Sequence, residues 1–395
     1  MEISGSLVLK KGKEHSIERF HPWIFSGAIH SRKGPPVDGE WVEIQDAKAH
    51  TLGFGHFQEG NITVRVLSFG PSRPGEDFYR KRFEDALHLR ACAGLPSAET
   101  NAFRLIHGEG DGLPGLIIDY YNDCAVVQSH SSGMHSDRFV IATAIRDVLG
   151  EKCRAIYYRS QISSSGKQQL VQPAEYLFGD AVMPETIKEH GSQFYVNWEE
   201  GQKTGFFLDQ RESRELLKSF SRNKTVLNTF CYTGGFSVTA LKGGAHTVHS
   251  VDASEKAIRM TEKNLQLNGF ETGSNLCSVA DTFEYLKGKE ETYDVIVLDP
   301  PAFAKHRDAR HQAVRGYQRL NTEALRVIKS GGILFTFSCS QVVDRQLFYD
   351  TIVSSAIQSG RQIKVLHHLS QPADHPVSIF HPEGEYLKGL VLYVE

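Results

Sequence analysis

The chain has 395 residues, of which 40% are hydrophobic and 23% are charged, the balance of an ordinary globular protein. Its formal net charge of −3 excludes nucleic-acid binding by bulk charge, so any such contact must come from local basic patches. This length predicts two or three domains, each able to bury a core.

The six cysteines are scattered, without a CxxC pair or the Cys/His spacing of a zinc site. We interpret them as reduced thiols, and we expect a cytoplasmic protein without a bound metal. The N-terminus lacks the apolar segment of a secretion signal, and no apolar run reaches transmembrane length. We therefore expect no membrane partner.

Residues 1–75 have the pattern of a small β-rich domain that ends in a Gly/Pro-rich linker. Short β-branched and aromatic runs predict strands at residues 7–9, 41–44, 52–55 and 62–67, and an aromatic turn at 21–27. Basic residues beside an aromatic one suit contacts with an RNA backbone and bases; these are Lys10, Lys11, Lys13 and Trp23. A solvated surface with Trp23 in the core fits the same pattern.

Residues 76–190 predict a central α+β domain. Helical spacing marks 76–95 and 138–149, and strand-like runs mark 125–129 and 155–160. The glycine-rich stretch 104–119 lacks the strand-then-helix setting of a phosphate loop, so we predict turns in a hairpin. There His107, Glu109 and Asp111 alternate, which fits either a metal site or a solvated turn, and we favour the turn.

Residues 191–395 change to a βαβ pattern, which predicts a Rossmann-like, doubly wound α/β sheet with parallel strands. Strands are expected at 226–228, 246–251, 276–280, 295–298 and 333–337, and helices at 211–220, 237–241, 255–267 and 320–328. Before the first strand, Phe206 and Phe207 adjoin a glycine in a connecting stretch. They either pack beneath the sheet or form a flap over a cofactor.

The cofactor follows from the loops of this sheet. A glycine-rich first loop and Asp252 after the second strand suit a dinucleotide or S-adenosylmethionine. The loop is not GxGxxG, so no helix N-terminus is visibly prepared for a diphosphate. Asp281 ends the third strand, where it could accept a hydrogen bond from an adenine amine, and Asp299-Pro300-Pro301 ends the fourth. These details favour S-adenosylmethionine.

Two buried apolar runs stop at chemically reactive residues, Asp299 after 295–298 and Cys339 after 333–337. Because parallel strands bind ligands at their carboxyl ends, we expect one crevice that holds an acid and a nucleophile. The alternative is a turn after one strand and a packed cysteine after the other.

Several motifs together resemble those of the bacterial 23S ribosomal RNA cytosine-5 methyltransferases. They are HPWIFSGA (21–28), GEGDGLPG (108–115), KTGFFLDQR (203–211), NTFCYTGGFS (228–237), LDPPAF (298–303), TFSCS (336–340), ADHPV (373–377) and EYLKG (385–389). The resemblance spans the chain and implies a PUA domain (1–75), a central domain (76–190) and a methyltransferase domain (191–395). One departure is Ala302, where the family usually has Lys.

By position, the resemblance implies that Asp252 holds the ribose of S-adenosylmethionine and Asp281 its adenine. The full set of cofactor residues that it implies is Phe207, Gln210, Phe230, Thr233, Gly234, Gly235, Asp252, Asp281 and Asp299. Cys339 would attack carbon 6 of cytosine, and Asp299 would hydrogen-bond the ring. A basic segment that suits RNA phosphates, or a solvated helix face, follows at Lys305, Arg307, Arg310, Arg315 and Arg319.

The expected partner is large-subunit ribosomal RNA, and a homodimer is one option for the oligomeric state. Two alternatives stay open. The first is a methyltransferase acting on exocyclic amines, in which Cys339 is only packed. The second is a non-catalytic RNA-binding or ribosome-assembly factor that keeps a cofactor fold.

Overall fold

A computed structural model of the chain describes residues 1–159, 161–163, 169–171, 174–270, 275–289, 292–304 and 306–395. In these ranges no helix combines the length and apolar character needed to cross a membrane. Contacts divide the chain into two units. Unit one comprises Met1–Glu185, Val196–Phe206 and Ala373–Gly384, and unit two comprises Thr186–Tyr195, Phe207–Pro372 and Glu385–Glu395.

Unit one begins with a mixed sheet of short strands. Its elements are β1 (Ile3–Leu9), α1 (His15–Glu18), β2 (Trp23–Phe25), β3 (Ile29–Lys33), β4 (Trp41–Gln45), β5 (Thr51–Phe57) and β6 (Ile62–Phe69). The strand order is β2-β6-β5-β4-β1-β3, and only the β1–β4 pair is parallel. The prediction of a β-rich domain is confirmed. The turn predicted at 21–27 is wrong in part, because Ile24 is buried and its strand pairs with β6.

A second sheet follows in unit one. Its elements are α2 (Phe78–Cys92), β7 (Ala102–His107), β8 (Leu116–Tyr121), β9 (Cys124–Ser129), α3 (Ser132–Ser136), α4 (Arg138–Leu149), β10 (Ala155–Tyr158), β11 (Gln161–Ser163), β12 (Gln169–Val171) and β13 (Glu175–Phe178). The order is β13-β10-β9-β8-β7, with β11 and β12 paired apart. The glycine-rich stretch joins β7 to β8 as an antiparallel hairpin, as predicted.

Unit two is built around the large sheet. The chain enters it through the paired strands β14 (Glu185–Glu189) and β15 (Ser192–Val196). Its further elements are α5 (Arg211–Ser219), β16 (Thr225–Thr229), α6 (Gly235–Lys242), β17 (Thr247–Asp252), α7 (Glu255–Leu267), β18 (Asn275–Val279), α8 (Thr282–Leu286), β19 (Tyr293–Leu298), α9 (Arg310–Val327), β20 (Ile328–Ser338), α10 (Arg345–Ser359), β21 (Ile363–Leu369) and β22 (Lys388–Val394). The strand order is β18-β17-β16-β19-β20-β22-β21.

The central strand of this sheet and the helix after β17 have the features that their sequences indicate. Val295 to Leu298 of β19 form a continuous apolar run, and they are fully buried because parallel strands that are covered by helices on both faces have no side exposed to water. Ser254 caps α7 by accepting a hydrogen bond from the amide of Ala257. These features confirm the Rossmann-like α/β prediction.

Two details of unit two correct the expectations. The sheet is not wholly parallel, since β22 lies antiparallel between β20 and β21. Helix α9 begins at Arg310 rather than at residue 320. The first half of α9 is helical because Ala313, Tyr317 and Leu320 form one buried face, while the arginines between them face water.

Candidate active site

The parallel strands of unit two bring the predicted acid and thiol to one edge. Leu298 of β19 pairs with Thr229 of β16 on one side and with Thr336 of β20 on the other. Asp299 directly follows β19, and Cys339 directly follows β20, so both emerge at the carboxyl end of adjacent strands. This is the edge where open α/β sheets bind ligands.

The loop between β16 and α6 has an unusual backbone. Phe230 and Tyr232 have φ values of 53° and 47°, a left-handed conformation that is costly for residues other than glycine. Side chains of α7 hold the loop: Thr261 Oγ1 donates to the carbonyl of Tyr232 at 2.9 Å, and Asn264 Nδ2 donates to that of Thr233 at 2.8 Å. Backbone strain that the surroundings maintain is typical of ligand-binding loops.

Gly234 completes this loop at φ 80°, and a Cβ there would lie 2.6 Å from Cγ2 of Thr261. A Cβ at Gly235 would lie 3.0 Å from Cδ of Arg214. Glycine at 234 therefore permits the close approach of the loop to Thr261, whereas a side chain at 235 would require Arg214 to shift. With Thr233 they belong to the set of cofactor residues that the resemblance implies, and that role stays a prediction.

Asp252 is oriented by the backbone around it. Its Oδ2 accepts a hydrogen bond from the amide of Tyr232 at 3.0 Å, and its Oδ1 accepts one from Ser254 at 2.9 Å. A fixed, half-buried carboxylate at this strand end suits ribose hydroxyls. Asp281 is exposed after β18, and its Oδ1 caps α8 by accepting from the amide of Glu284 at 3.1 Å.

Gln210 connects the segment before α5 to the acid. Its Nε2 donates to Oδ1 of Asp299 at 2.9 Å, while its buried Oε1 has no hydrogen-bond partner among the described residues. A buried polar atom without a partner is costly, so a donor from a bound molecule would satisfy it. Nearby, the ring of Phe207 meets that of Tyr232 at 5.2 Å between centroids. The residues present fit the polar, partly aromatic outline of S-adenosylmethionine.

A buried ion pair that sequence reasoning missed supports this segment. Arg214 of α5 donates to both carboxylate oxygens of Glu189 at 2.6 and 2.7 Å, and to the carbonyl of Phe207 at 2.9 Å. Both side chains are almost completely buried. The partners are 25 residues apart and belong to different elements, so no local pattern indicates the pair.

Cys339 differs from the buried cysteines. It is partly exposed, and its Sγ lies 3.9 Å from the carbonyl oxygen of Pro300. Burial raises the pKa of Cys124 and of Cys153 to about 11, which makes those thiols poor nucleophiles. Cys339 is therefore suited to reaction with a ligand at the sheet edge.

Tyr317 and Lys388 also lie at this edge, and sequence reasoning singled out neither. Burial raises the pKa of the Tyr317 phenol, and the charges of Cys339 and Asp299 raise it further, so it stays neutral. Lys388 is buried at the start of β22, and its Nζ donates to the carbonyls of Ser340 and Tyr386, both at 2.7 Å. Burial lowers the pKa of Lys388 to about 8.

The predicted RNA-binding residues of unit two lie on and before α9. Arg310 and Arg315 are exposed there, with Arg310 Nη2 3.5 Å from Asp344, and Arg319 lies over the ring of Phe283. Lys305 falls outside the described residues, as does the side chain of Arg307. The structure thus leaves a basic face on α9.

The predicted RNA-binding residues of unit one are partly accessible. Lys10, Lys11 and Lys13 are exposed, and Lys10 Nζ donates to the carbonyl of Gly27. Trp23 is half-buried, and its indole donates to Glu109 at 2.9 Å. Trp23 is thus neither fully in the core nor fully exposed, and its contact with RNA stays a prediction.

The metal and solvated-turn interpretations of residues 107–111 do not describe what the structure shows. Asp111 is buried in an ion pair with Arg90 rather than solvated. Among the described residues, three potential ligand atoms lie within 4.8 Å of one another at His21, His381 and Glu383. His21 Nδ1 already contacts the backbone of Trp23 at 3.1 Å, and Glu383 is exposed, so we assign no ion there.

Comparisons with known proteins agree with this geometry. The family described as S-adenosylmethionine-dependent methyltransferase matches residues 144–383, and a PUA-like domain matches residues 7–69. The fold and the sheet edge thus define an S-adenosylmethionine-dependent methyltransferase with an N-terminal PUA-like domain. S-adenosylmethionine is its cofactor, as the sequence predicted.

Ribosomal RNA large subunit methyltransferase I of Aeromonas hydrophila is 39% identical over 99% of both chains. The Escherichia coli protein of that name is 38% identical over 99% of this chain and 100% of its own. The chain belongs to the ribosomal RNA large subunit methyltransferase I family.

Two solved structures share the fold. A putative methyltransferase from Streptococcus mutans has a TM-score of 0.82 at 23% identity, covering 99% of this chain and 100% of its own. SMU.776, a putative methyltransferase solved with SAH, has a TM-score of 0.83 at 24% identity and the same coverage.

Proposed function

We propose that this enzyme methylates carbon 5 of a cytosine in large-subunit (23S) ribosomal RNA through a transient covalent bond to Cys339. The observation that carries the proposal is that Cys339 and Asp299 end adjacent parallel strands at the ligand edge of the sheet. The names of the relatives support ribosomal RNA as substrate. Because the proposed substrate is ribosomal RNA, we place the reaction in the cytoplasm.

The chemistry explains why a thiol is needed. Carbon 5 of cytosine is a poor nucleophile, and attack of the Cys339 thiolate on carbon 6 turns the ring into an enamine with electron density at carbon 5. The cofactor supplies an electrophilic methyl group. Asp299, held by Gln210, is positioned to hydrogen-bond nitrogen 3 and the amino group of the base and so to favour the adduct.

The reaction ends when a base removes the proton from carbon 5 and the bond between Sγ and carbon 6 breaks. Residues 302–304, after the prolines, contain no thiol, so a second cysteine at that place does not assist the release. The target base must leave its stack to reach the sheet edge. Arginines on the exposed face of α9 are suited to hold the phosphates of RNA that presents such a base.

The decisive experiment compares Cys339→Ala with the matched control Cys277→Ala, since Cys277 is the other partly exposed cysteine of unit two. Each protein is incubated with unmodified ribosomal RNA and labelled S-adenosylmethionine, and the product base is mapped. We expect 5-methylcytosine with the wild type and with Cys277→Ala, and none with Cys339→Ala. RNA carrying 5-fluorocytosine should trap the wild type as a covalent complex.

Either of two outcomes would contradict this proposal and favour another function. Methylation of an exocyclic amine that survives Cys339→Ala would show that the thiol is only packed. Binding of S-adenosylmethionine without transfer to any ribosomal RNA would indicate an assembly factor.

A further inference from the structure

Lys388 lies beside the proposed nucleophile because of strand register. It is the first residue of β22, and it pairs with Ser338, the last residue of β20 and the neighbour of Cys339. Its ammonium is bonded to the carbonyl of Ser340, the residue on the other side of Cys339. Lys388 thus contacts the backbone on both sides of Cys339.

The ammonium of Lys388 is buried among neutral acceptors. Its hydrogen bonds go to two carbonyl oxygens, and in the part of the chain that the structure describes no carboxylate lies within ion-pair distance of it. The neighbouring Glu385 is paired with Arg345. A buried cation with only carbonyl partners is costly, so an anion nearby would be strongly favoured.

Cys339 is the group that can supply that anion. Burial lowers the pKa of Lys388, and a negative charge on Cys339 raises it. The other charged groups that act on the lysine are Glu385, Arg345 and Asp344. Glu385 is engaged with Arg345, and Asp344 caps α10. The thiol is thus a nearby acid whose ionisation favours the ammonium form of Lys388.

The neighbouring carboxylate of Asp299 acts against ionisation of the Cys339 thiol. Asp299 is a carboxylate at the end of the adjacent strand, and a negative neighbour disfavours the thiolate. Tyr317 is neutral and contributes no positive charge. An unassisted thiol with a pKa of about 8.5 is only a few per cent ionised at neutral pH.

We propose that Lys388 is a cation that stabilises the thiolate of Cys339 and so keeps the nucleophile ready for attack. This inference rests on the proposed function, because it concerns the same thiol. Lys388 is a positioning residue, since it acts through Cys339 and not on the base. The two groups titrate as a coupled pair whose ammonium–thiolate form is the reactive one.

The test is the rate of alkylation of each cysteine by iodoacetamide as a function of pH, read by mass spectrometry of peptides. Lys388→Met removes the charge and keeps a side chain of similar length. The control Lys364→Met removes an exposed lysine on β21 that is paired with Glu395. Exposed Cys92 serves as an internal reference in every sample.

We expect Lys388→Met to move the alkylation profile of Cys339 upward by about one pH unit, which slows its reaction near neutral pH about tenfold. Lys364→Met and the profile of Cys92 should not change. An unchanged Cys339 profile in folded Lys388→Met protein would overturn the proposal and leave the lysine a purely structural role.

A reciprocal measurement covers the case in which Lys388→Met does not fold. NMR of isotope-labelled lysine side chains follows the titration of Lys388 in the wild type and in Cys339→Ala. Removal of the thiolate should lower the pKa of Lys388, because the attraction that favours the ammonium is gone. An identical titration in both proteins would also overturn the proposal.

These outcomes are separate from those of the proposed function. If Cys339→Ala keeps methyltransferase activity, the covalent mechanism fails even if Lys388 shifts the thiol. If Cys339→Ala is inactive and neither titration moves, the covalent mechanism stands and the role of Lys388 fails.

Discussion

Gln210 Nε2 donates a hydrogen bond to Oδ1 of Asp299 at 2.9 Å, which joins the segment before α5 to the acid at the end of β19. The amide oxygen of the same side chain is buried and has no hydrogen-bond partner in the described ranges. One side chain therefore orients the acid and offers an acceptor to a ligand.

Replacing Gln210 with Ala should weaken both catalysis and cofactor binding. Loss of a hydrogen bond to a charged group costs about 1.5–3 kcal/mol, which predicts a fall of about 10- to 100-fold in kcat/KM. Calorimetry with S-adenosylhomocysteine (SAH) measures binding at the cofactor site, and methylation assays measure catalysis. Gln346→Ala, at an exposed glutamine of α10, is the control and should behave as wild type. Normal activity of Gln210→Ala would show that Asp299 needs no such support.

Replacing Gly234 with Ala should destabilise the loop between β16 and α6 through both conformation and contact. Gly269 has nearly the same φ, 79° against 80°, but no described residue lies within 4 Å of a Cβ built there, so Gly269→Ala isolates the conformational cost of about 1–2 kcal/mol. Because a Cβ at Gly234 meets Thr261, Gly234→Ala should cost a further amount of about 1–3 kcal/mol. Denaturant unfolding of both variants gives the difference. Equal unfolding free energies would mean that the loop yields without strain.

Breaking the buried ion pair of Arg214 and Glu189 should lower the free energy of unfolding far more than breaking an exposed ion pair. Arg214→Met leaves a carboxylate buried without its partner, at a cost of about 3–5 kcal/mol. Arg259→Met, which removes an exposed pair with Glu255, should cost less than about 0.5 kcal/mol. The double change Arg214→Met with Glu189→Met should recover part of the stability. If Arg214→Met destabilises the protein as little as the control does, a structural role for the pair is contradicted.

Neutralising the exposed face of α9 should weaken RNA binding in a salt-dependent way. The double variant Arg310→Ala with Arg315→Ala should lower the slope of log affinity against log salt by roughly one for each phosphate that the protein no longer neutralises. Filter binding or fluorescence anisotropy over a salt series gives the slope. Arg326→Ala, on the same helix and paired with Glu323, is the control. A slope that matches the control would place the RNA elsewhere.

Strands and site residues could be predicted from the sequence where the local pattern of apolar residues matches the burial in the fold. Val295 to Leu298 are buried on both sides, so a continuous apolar run is the expected signature, and the acid that follows it could be placed at a strand end. The same logic placed Cys339. The start of α9 was missed because arginines interrupt the buried face formed by Ala313 and Tyr317.

Features that depend on distant pairing could not be read from one sequence. Lys388 stands at the start of an apolar run, and nothing local shows that this run pairs with β20. The pair of Arg214 and Glu189 is hidden for the same reason, since charged residues on α5 look solvated until their partner is known. Long-range strand order is set by the whole chain rather than by any window of it.

The place of β22 inside the sheet, between β20 and β21, bears on how the enzyme is made. Residues 388–394 follow β20 and β21 in the chain and are translated after them, yet they form the strand between the two and bring Lys388 to the chain around Cys339. Until they arrive, two neighbouring strands have exposed edges, a state prone to non-native pairing. The proposed pair of Cys339 and Lys388 can therefore form only after β22 has been translated and has inserted between its neighbours.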